Sequence, residues 1–482
     1  MTWLLVVLCL LLFLLPLPFG GNIEWAIFGF EASVFILFSL YLVTGRKKNP
    51  EGSPQAEEKR LVPLIPLWLL VIFFLAGLLQ IVPLPAAVVR QISPAGYDWR
   101  QTLVSSGLVD QAKLRWQTIS LSPADSLSEL VKYLALGVFA FLLSRAIDTR
   151  KKARALTLVL IGAGIFQSLY GLSEHFSGSH RIFTWVNRYY SGSAFGTFVN
   201  RDHYSAFLEM IFPLSLGYFL ARADYFSLPP GLSRKQKLAW FGQEKLQKSI
   251  LFILPPLIIG VGLFFSRCRT GIIIFLLTFF LMVLLLSIAS ISGRRKTERR
   301  LVNLVVFIVL AAVILIGIQP ILERFTSQSL IDESRLIYYK DTLGLIKDYP
   351  WLGSGLGTYV KAINHYLEKD FYVIIDHAHN DYLEMAGEAG LAGGGALILS
   401  GLWLFGLGVR RYFKTGDSLT RGLSLGALMG VLALFFHSLT DFSLRMPGNA
   451  IVWLSLFVLS LKVPQFGSRD FSDEDLKGNE GD

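Results

Sequence analysis

Charge and sulfur are both scarce in this sequence. Only 17% of the 482 residues are charged, and just two are cysteines, Cys9 and Cys268. Both cysteines lie in or beside apolar segments, with no CxxC or metal-ligand spacing, which argues against disulfide staples and cysteine zinc sites. The shortage of charge is matched by an excess of oil: 53% of the residues are hydrophobic and the mean hydropathy is +0.53. No water-soluble core can hide that content. Since a membrane helix needs about 20 apolar residues, the composition predicts an all-α polytopic membrane protein of about 12 transmembrane helices and excludes an ordinary cytosolic enzyme.

Long apolar runs predict helices near 3–19, 24–44, 62–82, 127–146, 155–173, 204–221, 250–266, 271–291, 301–318, 391–409, 422–440 and 448–462. The first run has neither a basic n-region nor a small-residue cleavage site, so it reads as a retained span. With the N-terminus placed inside, the tight basic clusters Arg46-Lys47-Lys48, Arg150-Lys151-Lys152, Arg234-Lys235, Arg294-Arg295-Lys296 and Arg410-Arg411 all fall on one side. The positive-inside rule then puts both termini in the cytoplasm. Topology accounts for the net charge of +10, and no nucleic-acid partner is needed to explain it. The inner connection 222–249, with Lys residues around Trp240 and Phe241, suits either an interfacial helix or a plain loop. No internal repeat is evident.

Four regions follow: 1–318, holding nine helices and the outer loops 83–126 and 174–203; a large outer loop, 319–390, expected to fold as a helical cap; 391–466, holding the last three helices; and an acidic tail, 467–482, expected to be disordered. Within the large loop, the stretch from Arg335 to Lys347 and the stretch from Asn380 to Glu388 have helical character. The segment Pro350-Trp-Leu-Gly-Ser-Gly-Leu-Gly-Thr between them is rich in turns.

The polar residues capable of chemistry collect on the outer side. Of the seven histidines, His175, His180, His203, His365, His377 and His379 fall in outer connections and His437 near the outer end of its span. Three constellations stand out: Phe198-Val-Asn-Arg-Asp-His203, Ser266-Arg-Cys-Arg-Thr-Gly271 and Asp376-His-Ala-His-Asn-Asp381. An arginine at membrane depth calls for an anionic partner, and a guanidinium fork suits phosphate oxygens. Arg201 and Arg269 thus fit a lipid-linked diphosphate, with Arg267 and Arg335 as further candidates. The plainer alternatives are that Arg201 pairs with Asp202, that Arg267 and Arg269 anchor a turn, and that Arg335 is a solvated helix-face charge. A neutral imidazole at His379 can take a proton from a hydroxyl, with His377 either its partner or a loop residue. His377, His379 and the neighbouring aspartates form only a local cluster, so no metal is expected. The segment Gly353-Ser-Gly-Leu-Gly357 follows no buried strand, which argues against a nucleotide loop.

These motifs resemble the bacterial O-antigen ligase and O-antigen polymerase (Wzy_C-type) superfamily. His379-Asn380, followed by Gly390-Leu-Ala-Gly393-Gly394, is similar to its histidine motif. Asp348-Tyr-Pro-Trp-Leu-Gly-Ser-Gly-Leu-Gly-Thr-Tyr359 is similar to the stretch upstream. Gly196-Thr-Phe-Val-Asn-Arg-Asp-His203 is similar to its Gly-Thr-Phe-x-Asn-x-Asn helix entry, with Asp202 where asparagine is usual. Ser266-Arg-Cys-Arg-Thr-Gly271 is similar to Ser-x-Ser-Arg-Gly, with Cys268 replacing the second serine. The resemblance spans roughly 155–460 and implies a GT-C-like, inverting, metal-independent glycosyltransferase that needs no cofactor. Its donor would be a glycan on undecaprenyl diphosphate at the periplasmic face of the bacterial inner membrane, and its acceptor a glycan or the lipid A core. It also implies His379 as base and Arg201 and Arg269 as diphosphate ligands; His203, His377, Asn380, Arg267 and Arg335 are candidates for supporting places beside them. A polymerase using the same donor is the near alternative. A small-anion transporter of the bicarbonate kind is the distant one, and it would need charges along a path through the span interiors.

Overall fold

The computed structural model describes residues 2–45, 64–110, 114–221, 251–288, 333–367 and 374–466, with isolated positions at 233, 235, 303, 304, 307, 311 and 314. The chain is nearly all helix. Its helices are α1 (Thr2–Leu14), α2 (Glu24–Gly45), α3 (Leu64–Ile81), α4 (Ala86–Ile92), α5 (Pro94–Ser105), α6 (Pro123–Ala146), α7 (Arg150–Ser177), α8 (Arg201–Leu220), α9 (Leu254–Phe265), α10 (Arg269–Ile288), α11 (Glu333–Asp348), α12 (Tyr359–Ala362), α13 (Asp381–Tyr412), α14 (Ser418–His437) and α15 (Pro447–Lys462). Among the described residues the strands form two antiparallel ribbons of two residues per strand, joining Leu84–Pro85 to Trp116–Gln117 and Arg181–Ile182 to Trp185–Val186. Among the described residues, seven helices are long and apolar enough to cross a membrane: α2, α6, α7, α10, α13, α14 and α15. Helices occupy every apolar run expected from the sequence that falls within the described residues. The span expected at 301–318, the inner connection 222–249 and the acidic tail lie essentially outside them.

α8 forms the axis of the bundle. From His203 to Leu220 every residue on it is buried, as expected for a helix wrapped by neighbours on all sides. Its closest partner is α14, and sequence explains the approach. Gly422, Gly426 and Gly430 recur every four residues, so they form one stripe on α14. A Cβ on each would lie 2.3–2.5 Å from a backbone oxygen of α8: Gly422 against Gly217, Gly426 against Pro213, and Gly430 against Met210.

A second, small core forms from the large loop. Leu345, Tyr349, Tyr359, Ile363, Ile375 and Ala378 pack together, with Ala95 and Leu121 of the 83–126 connection at their margin. That connection is tied on by the Leu121 amide, which donates to the Ser354 carbonyl at 2.9 Å. The turn-rich stretch 350–358 seats against a break in α13. Gly390 has φ +68° and ψ 176°, a glycine-only conformation, and splits α13 into a short N-terminal segment and a longer apolar one. The Leu391 amide donates to the Pro350 carbonyl and the Ala392 amide to the Trp351 carbonyl, at 2.8 and 3.1 Å. A Cβ at Gly390 would stand 2.2 Å from the Trp351 oxygen.

Candidate functional site

Six helix ends converge at one end of the bundle: the N-termini of α8, α10, α13 and α15, and the C-termini of α9 and α14. Each of the three constellations read from the sequence proves to be the local chemistry of one of these ends. In Gly196-Thr-Phe-Val-Asn200, Gly196 takes φ +54°. Thr197 is latched to Gln167 by two hydrogen bonds of 2.8 and 2.9 Å, Phe198 is buried, and Asn200 caps α8 by accepting from the Asp202 amide. In Ser266-Arg-Cys-Arg-Thr-Gly271, the Cys268 thiol accepts from the Gly271 amide at 3.3 Å, standing where a serine cap would. Gly271 lets α10 close on α8, since a Cβ there would overlap the Ser205 hydroxyl. Burial and the adjacent Asp202 carboxylate both push the Cys268 thiol up. Arg267 takes φ +54°, and the Thr440 hydroxyl donates to Thr270 at 3.3 Å. Asn380 caps α13: its Oδ1 accepts from the Tyr382 and Leu383 amides at 3.0 Å, and its Nδ2 donates to the Leu439 carbonyl.

Between these ends lies the short connection 438–446, which carries the group at the centre of the site. Asp441 is 1% exposed and faces three imidazoles. His203 Nε2 is 3.4 Å away, His379 Nδ1 3.5 Å and His437 Nε2 3.6 Å. The other nitrogen of His437 meets Glu209 at 2.6 Å, and Ser443 donates to Asp441 at 2.7 Å. Burial opposes ionisation of Asp441, but His203 and the other two histidines outweigh it and hold the carboxyl well below the usual carboxylate range. Phe442, the next residue, lies among His377, His203 and His379 with ring centroids 3.9, 4.6 and 5.0 Å away. His379 itself takes φ +50°. A non-glycine residue in that region carries strain of order 1–3 kcal/mol and is held there by its surroundings; here the Tyr339 hydroxyl donates to its carbonyl at 3.0 Å.

A cationic rim adjoins this centre. Arg335 Nη2 is 3.5 Å from Asp202, and its Nη1 donates to the Thr440 carbonyl at 2.6 Å. Arg335 is therefore not the solvated helix-face charge weighed above: α11 turns it inward. Burial opposes its charge, and the Asp202 and Asp441 carboxylates more than restore it. Arg201 Nη1 donates to Ser193 at 3.2 Å, its guanidinium lies 5.2 Å from the Tyr190 ring centroid, and its Nε is 3.9 Å from Asp202. The pairing with Asp202 is thus long, and that carboxylate is shared with Arg335. Arg269 opens α10, half-buried at the same end.

His377 belongs to a different cluster. Its Nδ1 lies 2.8 Å from Glu384, whose other oxygen accepts from the Ala378 amide. Burial opposes the charge on His377, but Glu384 raises its pKa above the ordinary histidine value. Glu384 also meets Arg445 Nε at 3.3 Å; Arg445 Nη2 contacts Glu388 at 2.7 Å and its Nη1 Glu129 at 3.6 Å. Asp441, Phe442, Arg445, Glu209, Glu384 and Glu388 were not singled out from the sequence. A signal existed for Glu209, a carboxylate inside an apolar span, and for Asp441 and Arg445, two charges in a short link between spans. Among the described residues, no group of three or more His, Cys, Asp and Glu is arranged to hold a metal ion.

Residues 256–398 match the family model described as O-antigen ligase. The chain carries an O-antigen ligase family domain. That match supports membership of the ligase and polymerase superfamily its motifs resemble, and the matched stretch includes Arg267, Arg269, Arg335, His377, His379 and Asn380. No curated protein matches the chain.

Proposed function

We propose that this protein acts as a member of the O-antigen ligase family, as an inverting, metal-independent glycosyltransferase. On this reading it transfers a glycan from undecaprenyl diphosphate to an acceptor hydroxyl, the lipid A core or a similar glycan, at the periplasmic face of the bacterial inner membrane. The observation that carries the reading is the meeting of Arg201, Arg335 and the His379 centre with the start of α10, where Arg269 stands. Four helix N-termini add partial positive charge there, and such ends suit phosphate oxygens. The donor is already activated by its leaving group, so the protein's task is to hold two substrates and stabilise charge on the departing oxygen. His379 removes the proton from the attacking hydroxyl as the new bond forms at the anomeric carbon. The bond to the diphosphate breaks with its electron pair going to phosphate oxygen, beside the arginines. The basic clusters at the opposite connections support an outward-facing site with both termini in the cytoplasm.

The test is transfer by the purified full-length protein in EDTA from an undecaprenyl-diphosphate glycan, with the acceptor varied. Turnover is expected in the wild type and lost in His379→Ala, Arg201→Ala and Arg269→Ala; folded protein without turnover on any such donor refutes the proposal. Joining to the lipid A core marks a ligase, whereas lengthening of carrier-linked glycan without core marks a polymerase.

A further inference from the structure

The connection 438–446 does more than join two helices, because it delivers Asp441 and Phe442 into the midst of the histidines. Asp441 is reached from five segments. The charged and titratable groups facing it are His203 and Glu209 on α8, His437 on α14, His379 before α13, Arg335 on α11 and Tyr190 of the preceding loop. Two features set its contact with His379 apart from ordinary ion pairing. The imidazole nitrogen it faces is Nδ1, leaving Nε2 for another partner, and the His379 ring is 27% exposed while Asp441 is 1% exposed. One face of the ring is thus braced from below by a buried anion, and the other side is open to a substrate. His203 is buried and His437 fully so. They present Nε2 to the same carboxylate and hold it in place.

We propose that Asp441 is the positioning residue of the transfer site: it fixes His379 with its proton on Nδ1, leaves Nε2 unprotonated to receive the acceptor's proton, and stabilises the imidazolium that results. The role rests on the proposed function, in which His379 is the base. His437 and Glu209 extend the brace inward. Glu209 lies eight residues along α8 from Arg201, about 12 Å at 1.5 Å per residue, and pairs with His437. An imidazole clamped between Glu209 and Asp441 keeps the Asp441 carboxylate from swinging away from His379. The contact of 3.5 Å is long for a hydrogen bond, as often holds before substrate binds, and it shortens when the imidazole gains charge. A buried carboxylate orienting a catalytic imidazole in this way is the logic of the hydrolytic triads, although here the base acts on a hydroxyl of the acceptor and not of the protein.

The experiment compares wild type, Asp441→Asn, Asp441→Glu and His379→Ala as full-length proteins. Transfer from a synthetic polyprenyl-diphosphate disaccharide is followed across pH, with thermal unfolding of each variant. Asp441→Asn should lower kcat by about 10²–10⁴-fold and leave KM for the donor within about threefold. The acidic limb of its kcat/KM profile should move to lower pH, because the imidazolium has lost its carboxylate neighbour. Asp441→Glu should recover part of kcat and restore the limb. A merely structural role would change neither the limb nor kcat separately from folded yield. Should Asp441→Asn not fold, Asp441→Glu decides: it keeps the charge but displaces it, so kcat falls while the pH profile stays. Wild-type kcat and profile in folded Asp441→Asn, or wild-type kcat in Asp441→Glu, overturns the proposal while leaving the reading of His379 intact. Full turnover in His379→Ala overturns both.

Discussion

Two clusters of buried charge sit side by side at one end of the bundle, and they are built differently. Around Arg445, three glutamates from two helices close on one guanidinium, the nearest at 2.7 Å, and His377 and Lys132 complete the set. Around Asp441, the three imidazole contacts are all 3.4–3.6 Å, and only Ser443 comes closer, at 2.7 Å. The side-chain atoms His203 Nε2, His379 Nδ1, His437 Nε2, Asp441 Oδ1, Glu209 Oε2 and Arg201 Nε lack a hydrogen-bond partner among the described residues. In the Arg445 cluster only Glu129 Oε2 is left so. Unmet hydrogen-bonding capacity at a buried site is costly, and proteins keep it where a substrate completes the set. The Arg445 cluster fastens α6, α13 and the 438–446 connection together; the Asp441 cluster is left poised.

The contrast breaks most visibly at Arg445. Arg445→Ala strands three carboxylates and should cost about 3–5 kcal/mol of stability, read as a large fall in the thermal unfolding midpoint in detergent. Asp441→Asn should keep its midpoint near wild type and lose turnover instead; similar unfolding for both variants would erase the distinction. Gly390→Ala comes next. It carries backbone strain of about 1–3 kcal/mol besides overlap with the Trp351 carbonyl, so folded yield should drop and protease cleavage around 350–358 should rise. Asn380→Ala removes a cap worth about 0.5–2 kcal/mol and should lower the unfolding midpoint modestly. The smallest effect is the pH dependence contributed by His377. Glu384 raises its pKa in the folded state, so its stabilisation is fully present below the unfolded value of about 6.5 and is lost as pH climbs through the higher folded value. The unfolding midpoint of wild type should decline across that window, and His377→Gln should flatten the decline.

Much of the fold was legible because apolar runs of spanning length leave little choice in a bilayer. The site was legible in pieces. Asn200, Gly196 and Gly271 fell within motifs that stood out, although their parts as cap and close contact came only with the structure, and His379 stood out as an imidazole beside a stretch of helical character. The sequence showed Arg335 only as one charge on an amphipathic stretch, because its burial depends on where α11 docks. Asp441 was the residue hardest to find. It lies 62 positions beyond His379 in the chain, and although a charge in a short link between spans is a signal, nothing local reveals that His203 and His379, from distant segments, will join the nearby His437 around it. The broken helix illustrates the same limit: Gly390 reads as one glycine among several, and only the arrival of residues 350–358 gives its backbone conformation a purpose.

The glycine stripe on α14 has a consequence for how such a protein can diversify. Because Gly422, Gly426 and Gly430 bring two backbones into contact, α8 and α14 are keyed to each other like a shaft in its slot, and neither can rotate or slide without collision. His203, Glu209 and His437 ride on that pair, so the frame that would receive a donor is fixed. On the proposed function, adaptation to a different sugar must then come from parts that are not carried on that pair, such as α11 and the described residues of the 83–126 connection. A lineage of such proteins would vary at its edges and stay still along its axis.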